Sequence, residues 1–110
     1  MKIRFSRNNI RFRLAATEVL AVMADGLVRE DLVLPSGTTY TIVLEVDREI
    51  EHGAISTAQT GIRVTVNREI AEKWAHTDQI SMSVDLSGKA TKDNKALTVL
   101  IEKDLPCQSH

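Results

Sequence analysis

The segment KIRFSRNNIRFRL, residues 2–14, alternates cations with apolar side chains. A period of two is typical of a β-strand that buries one face. The polar tetrapeptide SRNN interrupts the alternation, so the segment predicts a β-hairpin with strands over 2–5 and 9–14. The register of this hairpin brings two apolar pairs together on one face: Phe5 with Ile10, and Ile3 with Phe12.

The opposite face of the hairpin sets positive charges directly across from one another. Arg4 lies opposite Arg11, and Lys2 lies opposite Arg13. Like charges across a strand pair destabilise it by a few tenths to about 1 kcal/mol each. The hairpin therefore needs anions nearby, and either the rest of the chain or a ligand supplies them.

The rest of the chain is acidic. Residues 1–17 carry five Lys and Arg and no Asp or Glu, while the formal net charge of all 110 residues is −1. Subtracting the +5 of the first segment leaves −6 for residues 18–110. The near-neutral total excludes a general attraction to nucleic acid or acidic membranes, whereas the uneven distribution needs a local explanation.

Size and composition are typical of one soluble domain. The chain is 43% hydrophobic and 26% charged, and we expect one domain over residues 1–110 with a polar tail over 106–110. Cys107 is the single cysteine, so we expect no disulfide within the chain and a reducing, cytoplasmic location. No apolar run reaches the roughly 20 residues that span a bilayer. Arg11 and Arg13 also interrupt the apolar stretch that a signal peptide needs.

The two halves of the chain repeat one pattern. IRFRL at 10–14 matches IRVTV at 62–66, an offset of 52, and TIVLEVD at 41–47 matches TVLIEKD at 98–104, an offset of 57. Each half predicts two strands, a short helix and two more strands. We therefore expect an α+β fold, an antiparallel β-rich domain of two β-β-α-β-β repeats with both helices packed on sheet faces.

The repeats run over about residues 1–50 and 53–105, and each contains one helical segment. In TEVLAVMADG, Thr17 is a candidate N-cap and Gly26 can end the helix. In NREIAEKWAHTD, Asn67 is the candidate N-cap. Three apolar side chains of that helix are expected to face inward: Ile70, Ala71 and Trp74. The polar loop GKATKDNK separates the last two strands.

Acidic side chains of the chain itself are the first candidates to neutralise the hairpin. Glu45 and Asp47 share one face of an extended strand, and Glu102 is the repeat equivalent of Glu45. If that strand lies beside the hairpin, carboxylates and guanidinium groups form a lattice that specifies register and discourages edge pairing. Each solvated pair contributes only about 0–1 kcal/mol.

A phosphate-bearing ligand is the alternative source of negative charge. Guanidinium groups match phosphate geometry, and the candidate anion-binding residues are Lys2, Arg4, Arg11, Arg13 and Arg63. Nucleic acid is a weaker candidate, because base stacking needs exposed aromatic rings and most of the four aromatic residues occupy predicted core positions.

Motifs for catalysis or metal binding are weak. His52, His76 and His110 lie in unrelated sequence contexts, and Cys107 with His110 lacks two further ligands at a matching spacing. The chain contains no G-x-S-x-G, phosphate-loop or H-E-x-x-H pattern. We expect neither a cofactor nor a metal, and a binding protein rather than an enzyme.

Several short motifs resemble a group of small uncharacterised bacterial proteins. They are NNIRFRL at 8–14, TEV at 17–19, TDQI at 77–80 and LTVLIEKDLPC at 97–107. Members of that group read K-I-R-x-x-x-N-x-I-R-x-R-L near the start and E-K-D-F-x-C near the end. This chain has Leu105 in place of the aromatic residue. The resemblance implies a bacterial, cytoplasmic protein and no mechanism.

The predicted architecture also resembles that of the triphosphate tunnel enzymes, in which antiparallel strands carry charges on the inside. Those enzymes need an E-x-E-x-K signature near the start. Here the first strand reads KIRF, and the acidic alternation EVDREIE lacks the lysine. The likeness is therefore confined to architecture.

Two functional hypotheses follow. The first is a non-catalytic binding or assembly module that forms a homodimer through an uncovered strand edge or an apolar patch. Val43 and Leu100 motivate the dimer, because both lie on the outward face of their strands at repeat-related positions. The second is a protein that binds or hydrolyses a small phosphate-bearing anion.

Overall fold

The computed structural model describes residues 1–51, 53–84 and 97–104. Along the chain the elements are β1 (Lys2–Ser6), β2 (Asn9–Leu14), α1 (Ala16–Asp25), β3 (Leu27–Val33), β4 (Thr39–Asp47), β5 (Ala54–Ala58), β6 (Gly61–Asn67), α2 (Arg68–His76), β7 (Ser81–Val84) and β8 (Thr98–Lys103). The order strand–strand–helix–strand–strand occurs twice, which confirms the α+β class and the repeated plan. The predicted loop GKATKDNK and the predicted tail lie outside the described residues, as do His52, Cys107 and His110.

The strands form two four-stranded sheets, which we call sheet A (β1-β2-β8-β7) and sheet B (β3-β4-β6-β5). Each sheet contains one hairpin from each repeat, because α1 carries the chain from sheet A to sheet B and α2 carries it back. The two central pairs, β2–β8 and β4–β6, are parallel, and the other pairs are antiparallel. The prediction of mainly antiparallel sheets is confirmed, and the parallel centres arise where the repeats exchange hairpins.

The first hairpin has the predicted register. Arg4 lies opposite Arg11 and Lys2 opposite Arg13, while the apolar partners meet on the other face. The turn is shorter than the predicted loop, since only Arg7 and Asn8 separate the paired residues. Their φ angles are 47° and 67°, as a two-residue type I′ turn requires.

One hydrophobic core joins the inner faces of both sheets with the two helices. Its buried members are Ile10, Phe12, Leu14, Val19, Val22, Ile42, Leu44, Val64, Val66, Ala71, Trp74, Met82, Val99 and Ile101. No described residue is a buried polar or charged side chain. As far as the described residues define it, the interior between the sheets is therefore apolar and differs from a tunnel lined by charges.

The helix ends show which capping predictions were correct. Gly26 ends α1 with φ 84°, and its N–H donates to the Val22 carbonyl at 3.1 Å. The N-cap of α1 is Ala15 rather than Thr17, because β2 runs to Leu14 and leaves one linking residue before the helix begins. Alanine has no side-chain acceptor for the first turn, and the side-chain contact at this helix end comes from Glu18, whose carboxylate accepts from the Ala15 N–H at 2.9 Å.

In α2 the predicted cap is confirmed, since the Asn67 side chain accepts a hydrogen bond from the Ile70 N–H at 3.0 Å. Ala71 and Trp74 are fully buried, whereas Ile70 is 48% exposed. The inward prediction for Ile70 was wrong. A one-residue step along a helix of 3.6 residues per turn rotates the side chain by about 100° away from its neighbour. Neither helix in the described ranges is long and apolar enough to cross a bilayer.

The Glu18 carboxylate gives the stability of α1 a predictable pH dependence. Burial opposes its ionisation, but hydrogen bonds from the Met1 amino group and the Ala15 N–H outweigh burial and lower the pKa of Glu18 below its ordinary value of 4.5. Its stabilising contribution is therefore complete above that ordinary pKa and is lost as the pH falls through the folded-state pKa.

We expect Glu18→Gln to lower the free energy of unfolding by about 0.5–1 kcal/mol at neutral pH. The difference in stability between wild type and variant should shrink below about pH 4.5. Urea denaturation between pH 3 and 7 measures the free energy of unfolding of both proteins. Glu69→Gln is the matched control. Glu69 also lies in the first turn of its helix, but within the described chain its carboxylate makes no hydrogen bond or ion pair. A difference between wild type and Glu18→Gln that stays constant over the whole pH range contradicts this assignment.

Candidate anion-binding face

Four cations lie on the outer surface of sheet A, and we call them the basic face: Lys2 and Arg4 of β1, and Arg11 and Arg13 of β2. They project outward because their alternating neighbours Ile10, Phe12 and Leu14 are buried in the core. Together with Ile3, the four cations line an open pocket of about 180 Å³. The strand alternation that builds the core thus also collects the positive charge in one place.

Glu102 and Asp104 are the acids that neutralise part of this face. Glu102 lies directly beside Arg13 in the parallel register of β2 and β8. Arg13 donates to Glu102 Oε1 from Nη2 at 2.9 Å and from Nε at 3.2 Å. Lys2 Nζ lies 3.2 Å from the Asp104 carboxylate. Two of the four cations therefore have close carboxylate partners.

The other two cations have unmet bonding capacity. Within the described ranges, no carboxylate lies within 4.0 Å of Arg4. Arg11 Nε lies 3.9 Å from Glu102 Oε1, which is too long for a hydrogen bond. This nitrogen is buried and has no hydrogen-bond partner in the described part of the chain, an arrangement that costs about 1–3 kcal/mol. Among the described residues, four cations with two carboxylates leave two positive charges unmatched.

Glu45 and Asp47 do not contact the basic face. They belong to β4 in sheet B, because β8 rather than β4 lies beside the hairpin. The expectation that the strand of Glu45 lies next to the hairpin was therefore wrong. Asp47 accepts a hydrogen bond from the Glu49 N–H at 2.8 Å. Arg63, the fifth candidate for anion binding, donates to Glu45 from Nη1 and lies apart from the other four cations.

Comparison of equivalent positions in the two repeats shows which charged residues occur in both sheets and which occur in sheet A alone. The offsets of 52 and 57 residues map Arg11 onto Arg63 and Glu102 onto Glu45, so each sheet has one Arg–Glu pair at equivalent positions. The remaining cations of the basic face have uncharged equivalents: Lys2 corresponds to Ala54, Arg4 to Ser56 and Arg13 to Thr65. In sheet B Arg63 donates a hydrogen bond to Glu45, whereas in sheet A Glu102 accepts from Arg13 rather than from Arg11. The three extra cations occur in sheet A alone.

The outer face of sheet B carries more acids than cations among the described residues. On this face its strands hold two cations, Arg29 and Arg63, and three acids, Asp31, Glu45 and Asp47. Arg29 Nη2 lies 3.3 Å from the Asp31 carboxylate. Among the described residues, sheet B therefore has the same strand arrangement as sheet A and no excess of positive charge, which makes it an internal reference for sheet A.

Val43 and Leu100 lie on the outward faces of the two sheets. Val43 is 9% exposed and lies in register between Arg29 and Arg63. Leu100 is half-buried, in register between Arg11 and Ser83. The aliphatic stems of arginines cover apolar neighbours. Val43 therefore exposes little apolar surface for the homodimer contact that its outward position predicted.

Aromatic side chains are absent from the described part of the basic face. Phe12 and Trp74 are fully buried, and Tyr40 is half-buried on the inner side of sheet B. Phe5 has the predicted partner Ile10 on the inner side of the hairpin. It is 57% exposed because β1 is an edge strand. The face can attract anions but offers no ring on which a base could stack.

The described residues contain no group of three or more His, Cys, Asp or Glu side chains that could hold a metal ion. His76, the one described histidine, is exposed at the end of α2. The distinctive chemistry of the face is therefore the cluster of arginine and lysine side chains.

Comparison with known proteins places the chain in a family without adding a mechanism. The chain belongs to a family of unknown function (DUF7009), whose model matches residues 1–110. No curated protein and no solved structure matches it. Membership agrees with the resemblance to a group of uncharacterised proteins.

Proposed function

We propose that this chain is a non-catalytic binding module whose basic face binds a small phosphate-bearing anion such as tripolyphosphate. The observation that carries the proposal is the pair formed by Arg4 and Arg11. These residues lie directly opposite each other and line the same pocket. Arg4 has no carboxylate partner in the described chain, and the buried Nε of Arg11 has no hydrogen-bond partner.

An anion bound between these two arginines removes two sources of unfavourable free energy. They are the repulsion between the guanidinium groups and the unmet hydrogen-bonding capacity of Arg11. Directly opposed residues of an antiparallel pair have Cβ atoms about 4.5–5.5 Å apart, so the two guanidinium groups repel each other. A phosphoryl group placed between them accepts hydrogen bonds from both forks, which match its oxygens in a bidentate manner. Lys2 and Arg13 line the same pocket and add positive charge for further phosphoryl groups.

Pocket size and composition favour a small ligand over a nucleic acid. The pocket of about 180 Å³ is smaller than the roughly 300–1,000 Å³ of pockets that enclose drug-sized ligands. Stacking of bases on aromatic rings supplies much of single-strand binding, and the described face has no such ring. Salt-dependent attraction to a compact polyanion needs only the cations.

Binding is proposed in preference to hydrolysis because of the residue types on the face. The described part of the face holds lysine, arginine and two paired carboxylates, with no activated nucleophile beside a base. The motifs at both ends of the chain and the single cysteine support a bacterial, cytoplasmic setting for this module.

The test is a calorimetric titration of tripolyphosphate into wild type, Arg4→Ser and Arg63→Ser. Serine is the residue that sheet B has at the position equivalent to Arg4, so the substitution makes the two sheets alike there. A charge-assisted hydrogen bond contributes about 1.5–3 kcal/mol. We therefore expect Arg4→Ser to weaken binding by about tenfold or more.

Arg63→Ser is the matched control, because it removes the same charge from the other sheet. We expect it to change the affinity by less than about twofold, since long-range charges are screened at physiological salt. Equal weakening by both substitutions contradicts a site on sheet A. The absence of any binding to wild type contradicts the proposed function itself.

A further inference from the structure

The outer edge of β3 is a second surface with unmet bonding capacity. β3 is an edge strand of sheet B, and within residues 1–51, 53–84 and 97–104 no strand pairs with its outer side. Three of its apolar side chains are well exposed: Leu27 at 41%, Leu32 at 57% and Val33 at 69%. A long, apolar, unpaired edge is a template for pairing with another strand.

The hydrogen bonds at the two ends of the β3–β4 pair show which backbone groups are free. The Leu34 N–H donates to the Thr38 carbonyl at 2.8 Å, and the Val46 N–H donates to the Gly26 carbonyl at 2.9 Å. Hydrogen-bonded pairs alternate along an antiparallel ladder. The even-numbered residues of β3 therefore bond to β4, and the odd-numbered residues direct their N–H and C=O groups to the open edge.

The sequence of β3, LVREDLV, is complementary to itself when it is read in reverse about Glu30. In an antiparallel pair of two copies centred there, Leu27 lies opposite Val33 of the second copy and Val28 lies opposite Leu32. Arg29 lies opposite Asp31 of the second copy, and this contact occurs twice. Every pair except the central one is therefore apolar with apolar or cation with anion.

We propose that β3 pairs with β3 of a second copy about a twofold axis at Glu30, which joins two four-stranded sheets into one of eight strands. The odd-numbered residues, whose backbone groups are free, are paired with one another in this register. Cross-strand pairs of opposite charge and of apolar residues each stabilise a sheet by about 0.2–1 kcal/mol.

Glu30 against Glu30 is the one like-charge contact in this register. Each Glu30 carboxylate lies 3.2 Å from the Met1 amino group of its own chain, which also contacts the Glu18 carboxylate, so this amino group offsets part of the repulsion. The apolar pairs and the two Arg29–Asp31 pairs outnumber this one unfavourable contact.

The other sheet edges fit a second copy less well. A pair centred on Arg4 in β1 would set arginine against arginine. β7 has only four described residues, and β5 has the small side chains of Ala54–Ala58. The β3 dimer also leaves the basic face of sheet A open, so dimerisation and anion binding can be tested independently of each other.

Cysteine cross-linking tests the register in a Cys107→Ser background. Directly opposed, non-hydrogen-bonded residues have Cα atoms about 4.5 Å apart, which a disulfide can span. Glu30→Cys is therefore expected to form a covalent dimer on mild oxidation. Arg29→Cys is the control. Its two cysteines lie two residues out of register, beyond the roughly 7 Å limit for a disulfide, so we expect no cross-link. Equal cross-linking of both variants contradicts the register.

Sedimentation tests the dimer without cysteine chemistry. Arg29→Asp sets acid against acid in both copies, and we expect it to weaken dimerisation by about tenfold or more. The exchange variant Arg29→Asp/Asp31→Arg restores opposite charges across the axis and should recover most of the affinity. A wild-type chain that sediments as a monomer throughout the micromolar range contradicts the proposal, as does an exchange variant no tighter than Arg29→Asp.

Discussion

Replacing Trp74 with alanine is expected to lower the free energy of unfolding by about 3–5 kcal/mol. Trp74 is fully buried in the core that joins the two sheets. Its indole N–H donates to the Ile80 carbonyl at 2.8 Å, which also accepts from the Lys103 N–H at 2.9 Å, so the substitution removes packing and one of that carbonyl's two hydrogen bonds. Since a domain of this size is stable by only about 5–15 kcal/mol, the variant should lie close to unfolding at room temperature.

Urea denaturation followed by circular dichroism measures this effect. Phe5→Ala is the control, because Phe5 is aromatic and apolar but 57% exposed. We expect the control to cost less than about 1 kcal/mol, since little of its transfer free energy is realised in the fold. Similar losses for the two variants contradict the assignment of Trp74 to the centre of the core.

Gly61→Ala is expected to have an effect of similar size through a different mechanism. An ideal Cβ at Gly61 lies 2.0 Å from the backbone carbonyl oxygen of Thr41, at the start of the parallel β4–β6 pair. The Thr41 N–H also donates to the Thr60 carbonyl at 2.8 Å, so the two strands cannot separate there without losing a hydrogen bond. We expect a loss of about 3 kcal/mol.

Gly37→Ala is the matched control for this close approach. Gly37 lies in the β3–β4 turn with φ 89°, and no atom lies within 4 Å of the added Cβ. Its cost comes from the left-handed backbone alone, about 1–2 kcal/mol. Thermal or urea unfolding of both variants distinguishes the mechanisms. If Gly37→Ala destabilises the protein more than Gly61→Ala, the close approach of β4 and β6 does not exclude a side chain at Gly61, and the predicted steric effect is contradicted.

Much of the local structure was predictable because the alternation in each segment determines which face is buried. The hairpin register of Arg4 with Arg11 follows from that alternation, as does the assignment of Phe12 to the core. Asn67 and Gly26 were identifiable as caps because few residue types satisfy those helix ends. The position of α1 relative to Thr17 was missed, because the distance between β2 and the helix depends on the packing of the sheet.

The choice of neighbouring strands was not predictable, and the repeat itself explains why. TIVLEVD of β4 and TVLIEKD of β8 have nearly the same pattern, so either could lie beside the hairpin. Alternation reports which face of a strand is buried, but it does not report which strand is adjacent. The exchange of hairpins therefore put Glu102 beside Arg13 and left Glu45 for Arg63.

The repeat offsets also indicate, from the sequence alone, which cations of the candidate site have a charged equivalent in the other half. The two offsets map the Arg63–Glu45 pair onto Arg11–Glu102, which marks Arg63 as part of a shared structural pair. The same offset assigns uncharged equivalents to Lys2, Arg4 and Arg13, which marks these three as the cations that the fold alone does not require. The buried, unpartnered Nε of Arg11 has no counterpart in the sequence pattern, because it depends on side-chain positions.

Anion binding to the basic face can be observed at the arginine side chains themselves. Proton–nitrogen NMR of the guanidinium Nε–H groups, recorded while tripolyphosphate is added, distinguishes a bound anion from general screening of charge. We predict that the Arg4 and Arg11 signals shift and exchange more slowly with water, while those of Arg29 and Arg63 on sheet B stay unchanged. Equal shifts in all four signals, or none in Arg4 and Arg11, would contradict the claim that the basic face binds the anion.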